Sequence, residues 1–321
     1  GILIIDECSM IDGELFEDIN NAASFASIVY VGDPAQLPPA SGNGALSPVF
    51  SSISHRAHLS EVIRQCEGNP IIELSAALRR VMESASHIIV SDIVEMVNEY
   101  DKDGEKIGMI QKGDIAEYCA DAIKNGLDCR YLAYRNDTID KHMKEIRQQL
   151  HGRDVQGFVV GEPVTSLTGI QGVINNNHEG NITHIGEVTK LHGITCTPVT
   201  LDNELTVFAA IDIKEKQNKE IGFFRLFEKF KAQAGLTTDF KAKADELEKS
   251  LEASAQGYKI RDEIAELRPC VASTVHKAQG STFDVAIVDV ADILTMRNRS
   301  EALQCLYVAV TRPKTYLILV V

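Results

Sequence analysis

The sequence contains no run of apolar residues long enough to cross a membrane, and no basic segment followed by an apolar one at its start. We therefore predict neither a membrane span nor a secretory signal, and expect an intracellular, cytoplasmic protein. No two of the seven cysteines form a C-x-x-C pair, and their number is odd. These features argue against a zinc ribbon and against a complete disulfide framework, so we expect reduced cysteines that serve in packing.

Positive charge is also scarce, since 32 Lys and Arg stand against 46 Asp and Glu, a formal net charge of -14. This balance favours solubility and argues against a surface that is basic all over and coats nucleic acid. A local basic groove that binds nucleic acid is still compatible with this net charge. The 321 residues, 44% of them hydrophobic, are enough for two or three globular domains with a sizeable core.

Two parts of the chain alternate short apolar strands with helices, which predicts parallel α/β sheets. The first covers residues 1–85 and contains the strands ILIID and SIVYVGD. The second begins in residues 86–155, with the helix IAEYCADAIKNG and the strand RYLAY, and resumes in residues 269–321. ILIID is an uninterrupted apolar run that ends in acids, a pattern typical of a strand buried on both faces.

Residues 156–268 have a different character. Short alternating segments such as GFVVGEPVTSL and LTVFAAIDI are joined by Gly and Asn turns and predict a small antiparallel barrel. The Lys- and Glu-rich stretch 214–267 has too few and too irregular apolar residues for a sustained coiled coil, so we predict a solvated helical hairpin. We interpret barrel and hairpin as an insertion into the second α/β unit.

Two strand ends carry candidate chemistry. Asp6 and Glu7 follow the first strand directly, at the carboxyl edge where open α/β sheets bind ligands. In nucleotide hydrolases the first acid of such a pair holds Mg²⁺, and the second orients or deprotonates the attacking water. The next strand ends in VGDPAQLPP, whose Gln36 can hydrogen-bond both a phosphate oxygen and a water. A helix-capping acid and a plain surface turn are the structural alternatives for these two segments.

DECSM followed by VGDPAQLPP resembles motifs II and III of superfamily 1 DNA helicases, in the branch of Dda-like and RecD-like enzymes. Later segments resemble further motifs of that family in the same order. YLAYRNDTIDKHMKEIR is similar to motif IV, STVHKAQGSTFDVAIVDV to motif V, and LYVAVTRPKTYLILV to motif VI. The resemblance implies RecA-like motor domains, the first of them incomplete, with an SH3-like barrel and a helical hairpin inserted in the second.

The resemblance also implies roles for single residues. Asp6 would bind the metal, and Glu7 and Gln36 would act on water. LSEVIRQCEGNPIIELSAALR resembles the stretch after motif III, whose Arg64 would approach the γ-phosphate as a further catalytic residue. Arg312, supported by Tyr307 and Thr311, would be an arginine finger. The implied nucleotide-site residues are Asp6, Glu7, Gln36, Arg64, Gln279, Gly280 and Arg312. The implied nucleic-acid-binding residues are Arg135, Asn136, Thr274, His276 and Lys277. Taken singly, Arg64 is also compatible with a surface arginine, and a lone His276 is more typical of a structural histidine.

These residue types suit ATP hydrolysis, because phosphoryl transfer to water needs positioning and charge stabilisation by a metal-binding acid, a water-orienting group and planar cations. ATP and Mg²⁺ are the implied cofactors, and single-stranded DNA is the implied partner. Movement from 5′ to 3′ is implied by the resemblance alone. An RNA substrate stays open, since nothing in the sequence reads a 2′-hydroxyl.

The sequence lacks the phosphate-binding loop G-x-x-x-x-G-K-[S/T], and no glycine in it is followed by lysine. In the helicases that the chain resembles, this loop precedes motif II. We therefore expect the carboxyl-terminal part of a helicase, inactive without a complementary amino-terminal fragment that carries the P-loop. A split gene, a shortened reading frame and a decayed remnant are the competing explanations, and a non-catalytic nucleic-acid-binding module is the alternative function.

Overall fold

The structure, a computed structural model, describes residues 1–23, 25–39, 44–59, 69–84, 88–153, 155–202 and 204–321. It forms two compact units, of which the first combines Gly1–Arg153 with Val271–Val321 and the second is Asp154–Cys270. The predicted site residue Arg64, the predicted boundary between residues 85 and 86, and Cys66 lie outside the described residues. The other six cysteines are free and buried. Of the described helices, none combines the length and the apolar character needed to cross a membrane.

The described strands are β1 (Ile2–Ile5), β2 (Ser27–Tyr30), β3 (Ile107–Ile110), β4 (Cys129–Ala133), β5 (Pro163–Ser166), β6 (Glu179–Ile185), β7 (Thr189–Leu191), β8 (Ile194–Leu201), β9 (Leu205–Ala210), β10 (Ile264–Ala265), β11 (Leu267–Pro269), β12 (Ala272–Thr274), β13 (Phe283–Asp289) and β14 (Pro313–Val320). The described α-helices are α1 (Gly13–Ala22), α2 (Val49–Ser52), α3 (Pro70–Glu83), α4 (Val90–Tyr100), α5 (Ile115–Lys124), α6 (Asn136–His151), α7 (Ile213–Leu236), α8 (Phe240–Glu263), α9 (Val275–Ala278), α10 (Val290–Ile293) and α11 (Arg299–Val310).

A five-stranded parallel sheet in the order β12-β4-β13-β14-β3 forms the centre of the first unit. Successive residues of β13 face opposite sides, as the two-residue period of a strand requires. Val285 and Ile287 pack with α5 and α6, whereas Ala286 and Val288 pack with α3, α4 and α11. Helices thus cover both faces of the sheet, which confirms the predicted parallel α/β class.

The strand ILII has the apolar pattern of a buried strand but is largely exposed in this structure. β1 pairs in parallel with β2, and among the described residues these two strands form a sheet of their own. Ile2 is 75% exposed and Ile4 is 68% exposed. A strand with this apolar pattern is buried on both faces only where neighbouring strands and helices cover it, and among the described residues only β2 pairs with β1. Only Ile5 joins a small apolar cluster, with Cys8 and Ile11.

The second unit contains a mostly antiparallel sheet in the order β10-β9-β8-β6-β5-β11, with β7 paired to β8. Its core includes Val164, Ile182 and Val199. Helices α7 and α8 form a hairpin and begin at the capping carboxylates of Asp212 and Asp239. The helical stretch ends at Glu263, earlier than the predicted residue 267, because β10 pairs with β9. The SH3-like character of the sheet stays a prediction.

Candidate functional site

The turn after β1 is strained at the second acid of the DECSM segment. Glu7 has φ 54° and ψ 39°, the left-handed region that residues other than glycine seldom occupy and that is found at functional sites. Its N–H donates to Asp6 Oδ1 at 2.8 Å. The next N–H, of Cys8, donates to the carbonyl of Val31 at 2.9 Å. These bonds lock the turn after β1 against the end of the neighbouring strand.

Close packing at this point requires Gly32. A Cβ atom there would lie 2.6 Å from Cys8 Sγ and 3.0 Å from the backbone nitrogen of Cys8, closer than real contacts allow. Glycine therefore lets the VGDPAQ turn approach the DECSM turn. Burial, and then the neighbouring charges of Asp6 and Glu7, raise the pKa of the Cys8 thiol, so Cys8 is a packing residue and not a nucleophile.

The VGDPAQ turn is organised by Asp33. Its Oδ1 accepts from the N–H of Ala35 at 3.0 Å, and its carbonyl accepts from the N–H of Gln36 at 3.0 Å. Leu37, the next residue, is fully buried in the core of the first unit. The carboxylate shapes the turn and the buried leucine anchors it, so the position of Gln36 between them is closely defined.

One side chain joins the candidate nucleotide-site residues. Gln279 Nε2 lies 3.1 Å from Gln36 Oε1, 3.2 Å from Ser9 Oγ and 3.4 Å from Glu7 Oε2. The following residue, Gly280, has φ +79°, and a Cβ there would lie 3.6 Å from Glu7 Oε1. The segment of Gln279 and Gly280 therefore reaches both strand ends of the first region.

The Gln279 carboxamide is incompletely satisfied. Its NH₂ group has two hydrogens but faces three acceptors, and its Oε1 atom is buried without a hydrogen-bond partner in the described residues. A buried, unpaired carbonyl oxygen costs free energy and is typical of a site that a ligand or water completes. This atom marks the junction of Glu7, Gln36 and Gln279 as a candidate binding site.

The carboxylates of Asp6 and Glu7 suit Mg²⁺ that is bound together with a nucleotide better than a metal ion coordinated only by protein side chains. Asp6 is exposed and, like Glu7, makes no ion pair with any described residue. Within the same residues no group of three or more His, Cys, Asp or Glu side chains can hold a metal. Mg²⁺ commonly takes one or two carboxylates and completes its shell with waters and phosphate oxygens. Two adjacent carboxylates at a strand end fit that requirement.

Arg312 lies in a different environment from the one expected of a cleft-facing finger. It is only 3% exposed. Its Nε donates to the carbonyl of Val308 at 2.9 Å, its Nη1 to that of Ser281 at 3.1 Å, and its Nη2 to Thr311 Oγ1 at 3.0 Å. The guanidinium thus contacts Thr311, the residue before it in the chain. The Tyr307 hydroxyl instead contacts Asp33 and Arg79.

The candidate nucleic-acid residues meet at the carboxyl edge of the five-stranded sheet. β12 and β4 are neighbours, with Thr274 opposite Ala133, so the residues that follow the two strands lie side by side. Asn136 and Lys277 are exposed. The rings of Tyr134 and His276 are 6.2 Å apart. Burial lowers the pKa of His276 against the opposing effect of Glu301, so the imidazole is neutral at physiological pH.

Asp292 anchors this edge. The buried carboxylate accepts from the N–H groups of Tyr134 and Arg135, from Thr138 Oγ1 at 2.7 Å, and from Arg135 Nε at 2.7 Å. Burial alone would raise the pKa of Asp292, but these hydrogen bonds lower it below its ordinary value, so the group stays ionised. It holds the start of α6, and with it Arg135 and Asn136, in place.

Sequence reasoning missed four residues that shape the site. Ser9 and Asp33 lie inside the quoted motifs, so a signal was available for these two. Asp292 lies in α10, three residues after the last residue of the buried strand β13, which is a weaker signal. Arg79 carries no such signal, because a lone arginine on an amphipathic helix is typical of a solvent-exposed charge.

Two family models match parts of the chain. Residues 269–320 match the UvrD-like helicase C-terminal domain, and residues 1–100 match an AAA domain. The first match includes the segments that resemble motifs V and VI, and the second includes those that resemble motifs II and III. A protein of Acanthamoeba polyphaga mimivirus, named Uncharacterized protein R530, is 21% identical over 360 residues, which cover 97% of this chain and 72% of that protein.

Two solved structures illustrate the similarity to other chains. The Pif1 helicase from Candida albicans is 14% identical with a TM-score of 0.44, over 99% of this chain and 72% of that one. The Pif1 helicase from Bacteroides in complex with ADP-AlF3 and ssDNA is 17% identical with a TM-score of 0.46, over 99% of this chain and 70% of that one.

Proposed function

We propose that this chain is the carboxyl-terminal part of an ATP-dependent superfamily 1 DNA helicase, in which ATP hydrolysis drives movement along single-stranded DNA. The carrying observation is the Gln279 carboxamide, which contacts Glu7 and Gln36 from the same short segment that contains His276 and Lys277. One segment thus adjoins both the candidate nucleotide site and the candidate DNA track, which is the connection that a motor needs.

At the nucleotide site we assign Asp6 to metal binding, Glu7 to orienting and deprotonating water, and Gln36 to holding that water against the phosphate. Bound Mg²⁺ would neutralise charge on the phosphate oxygens. Gln279 adjusts the position of Gln36 and Glu7 when the DNA track moves. Arg64 stays an assignment by resemblance only.

Along the track we assign phosphate contacts to Arg135, Asn136, Thr274, His276 and Lys277. Their support is that the loops after β4 and β12 are adjacent and that Asn136 and Lys277 are exposed. Single-stranded DNA as the substrate and movement from 5′ to 3′ are further parts of the proposal, and their support is the motif resemblance alone.

Hydrolysis also requires a phosphate-binding loop, which these 321 residues do not include. We propose that a complementary amino-terminal fragment supplies it. The two-stranded sheet of β1 and β2 supports this, because Ile2, Ile4 and Val29 present apolar surface that a further strand or helix would cover.

ATPase assays test the proposed function directly. The purified chain alone should show no DNA-stimulated hydrolysis, since the β- and γ-phosphates lack their main anchor, and hydrolysis should emerge when a polypeptide with the P-loop is added. Appreciable turnover by the chain alone would contradict the proposal. Single-strand binding without hydrolysis in the mixture would favour the non-catalytic binding module.

Single-strand binding should weaken as salt rises, because neutralised phosphates release counterions, by a slope of about -0.7 per contact on logarithmic axes. Lys277→Ala should lower affinity for many sequences alike and make this slope shallower by about 0.7. Titrations with unrelated oligonucleotides at several salt concentrations measure both effects. Lys124→Ala removes the same charge from an exposed site on α5 and is the matched control. Strong preference for one base sequence would contradict a motor track.

A further inference from the structure

Asp33, Arg79 and Tyr307 form a closed triangle of contacts between three distant parts of the first unit. The Tyr307 hydroxyl donates to Asp33 Oδ2 at 3.1 Å and accepts from Arg79 Nε at 3.0 Å. The Arg79 guanidinium also pairs with Asp33 Oδ2, and its central carbon lies 5.0 Å from the centre of the Tyr307 ring. The three residues come from the VGDPAQ turn, α3 and α11.

The three side chains of the triangle are largely shielded from solvent, so their contacts contribute to holding the turn in place. Tyr307 is only 9% exposed, and the side chains of Asp33 and Arg79 are 22% and 37% exposed. Burial, and then the charge of Asp33, raise the pKa of the Tyr307 phenol, so it keeps its proton and remains a donor at neutral pH. Partial exclusion of water strengthens hydrogen bonds to charged groups.

The two oxygens of the Asp33 carboxylate have separate tasks. Oδ1 accepts from the N–H of Ala35 and shapes the turn, while Oδ2 is held by Arg79 and Tyr307. Gln304, one turn before Tyr307 on α11, donates from Nε2 to the carbonyl of Pro34 at 3.2 Å. Side chains from α3 and α11 therefore hold the turn that ends in Gln36.

We infer that Arg79 and Tyr307 are positioning residues for Gln36, acting through Asp33. They fix the orientation of the turn and so determine where the Gln36 carboxamide meets Gln279. Because α11 ends two residues before Arg312, the same contacts connect the position of Arg312 with that of Gln36. A catalytic role for Gln36 rests on the proposed function. The contacts by which Arg79 and Tyr307 hold the turn of Gln36 do not depend on it.

The decisive experiment uses amide hydrogen exchange in the intact chain. Tyr307→Phe keeps the ring and removes only the hydroxyl, and Arg79→Lys keeps the charge and removes the planar fork. Both changes should speed exchange at the Ala35 and Gln36 amides by about 10-fold, the effect of one lost hydrogen bond to a charged group. Tyr316→Phe alters a tyrosine on β14 that is 43% exposed, and it should leave these amides unchanged.

Unchanged exchange at Ala35 and Gln36 in both variants would overturn the inference, as would faster exchange spread evenly over all elements. This readout needs no ATP hydrolysis, so it stands even if the proposed function fails.

If the P-loop assembly is active, Tyr307→Phe should lower kcat and leave KM unchanged. The loss should disappear in a Gln36→Ala background, because a residue that acts through Gln36 has no effect without it. An equal loss in both backgrounds would refute positioning.

Discussion

Glu7→Gln should reduce ATP hydrolysis by roughly 10²- to 10⁴-fold in an assembly of this chain with a P-loop polypeptide, while nucleotide still binds. Glutamine keeps the shape of the side chain and an acceptor oxygen for Gln279 Nε2, which lies 3.4 Å from Glu7 Oε2. It removes the charge that orients and deprotonates water. Steady-state turnover and nucleotide affinity, measured on the same preparation, separate the two effects.

Two comparisons sharpen this prediction. Glu14→Gln removes the same charge from an exposed position in the first turn of α1 and should leave turnover unchanged. Asp6→Asn should weaken nucleotide binding together with its dependence on Mg²⁺, because Asp6 is the proposed metal ligand. Turnover at the unmodified rate in Glu7→Gln would show that Glu7 is not the catalytic acid.

Arg312→Ala should lower turnover on the order of 10³-fold or more in the same assembly, as loss of an arginine finger does. The structure adds a second consequence. The guanidinium is buried and donates to the carbonyls of Val308 and Ser281. The Val308 carbonyl also accepts from the N–H and the hydroxyl of Thr311, so the main cost of truncation is the lost donor to Ser281, about 1–3 kcal/mol of stability. To act as a finger, Arg312 must exchange these carbonyls for phosphate oxygens.

Arg312→Lys should fail to rescue either loss, since an ammonium group cannot replace a planar fork with several fixed donors. Thermal unfolding establishes a temperature at which all variants are folded, and ATPase rate and single-strand affinity are then measured there. Arg299→Ala, at an exposed position on α11, is the control. Near-normal turnover in Arg312→Ala would refute the finger, and a parallel loss of DNA affinity would indicate misfolding instead.

Local pattern predicted many elements of the fold, although not the edge strand β3. The apolar segments of β4, β13 and β14 identified a parallel sheet because a strand covered on both faces has no polar alternation. The lysine- and glutamate-rich stretch identified the hairpin of α7 and α8. The apolar pattern of ILII alone does not distinguish a covered strand from one that lacks covering neighbours, so the exposure of Ile2 and Ile4 is known from the structure.

The resemblance to helicase motifs II, III and V also grouped Glu7, Gln36 and Gln279 into one candidate site before any contact was visible. What the sequence could not specify is which side chains meet across long separations. Tyr307 contacts a residue 274 positions away and Arg79 one that is 46 positions away. Neither contact follows from periodicity or spacing.

By itself, then, the sequence determined the order of strands and helices and the residue types at the strand ends, because backbone preference and apolar periodicity act over a few residues. Only the tertiary structure decided that Arg312 is buried against Val308 and Ser281, and that Tyr307 faces Asp33. These contacts depend on how α3 and α11 pack against the sheet. That packing is set by the complementary shapes of whole elements, which no short segment encodes.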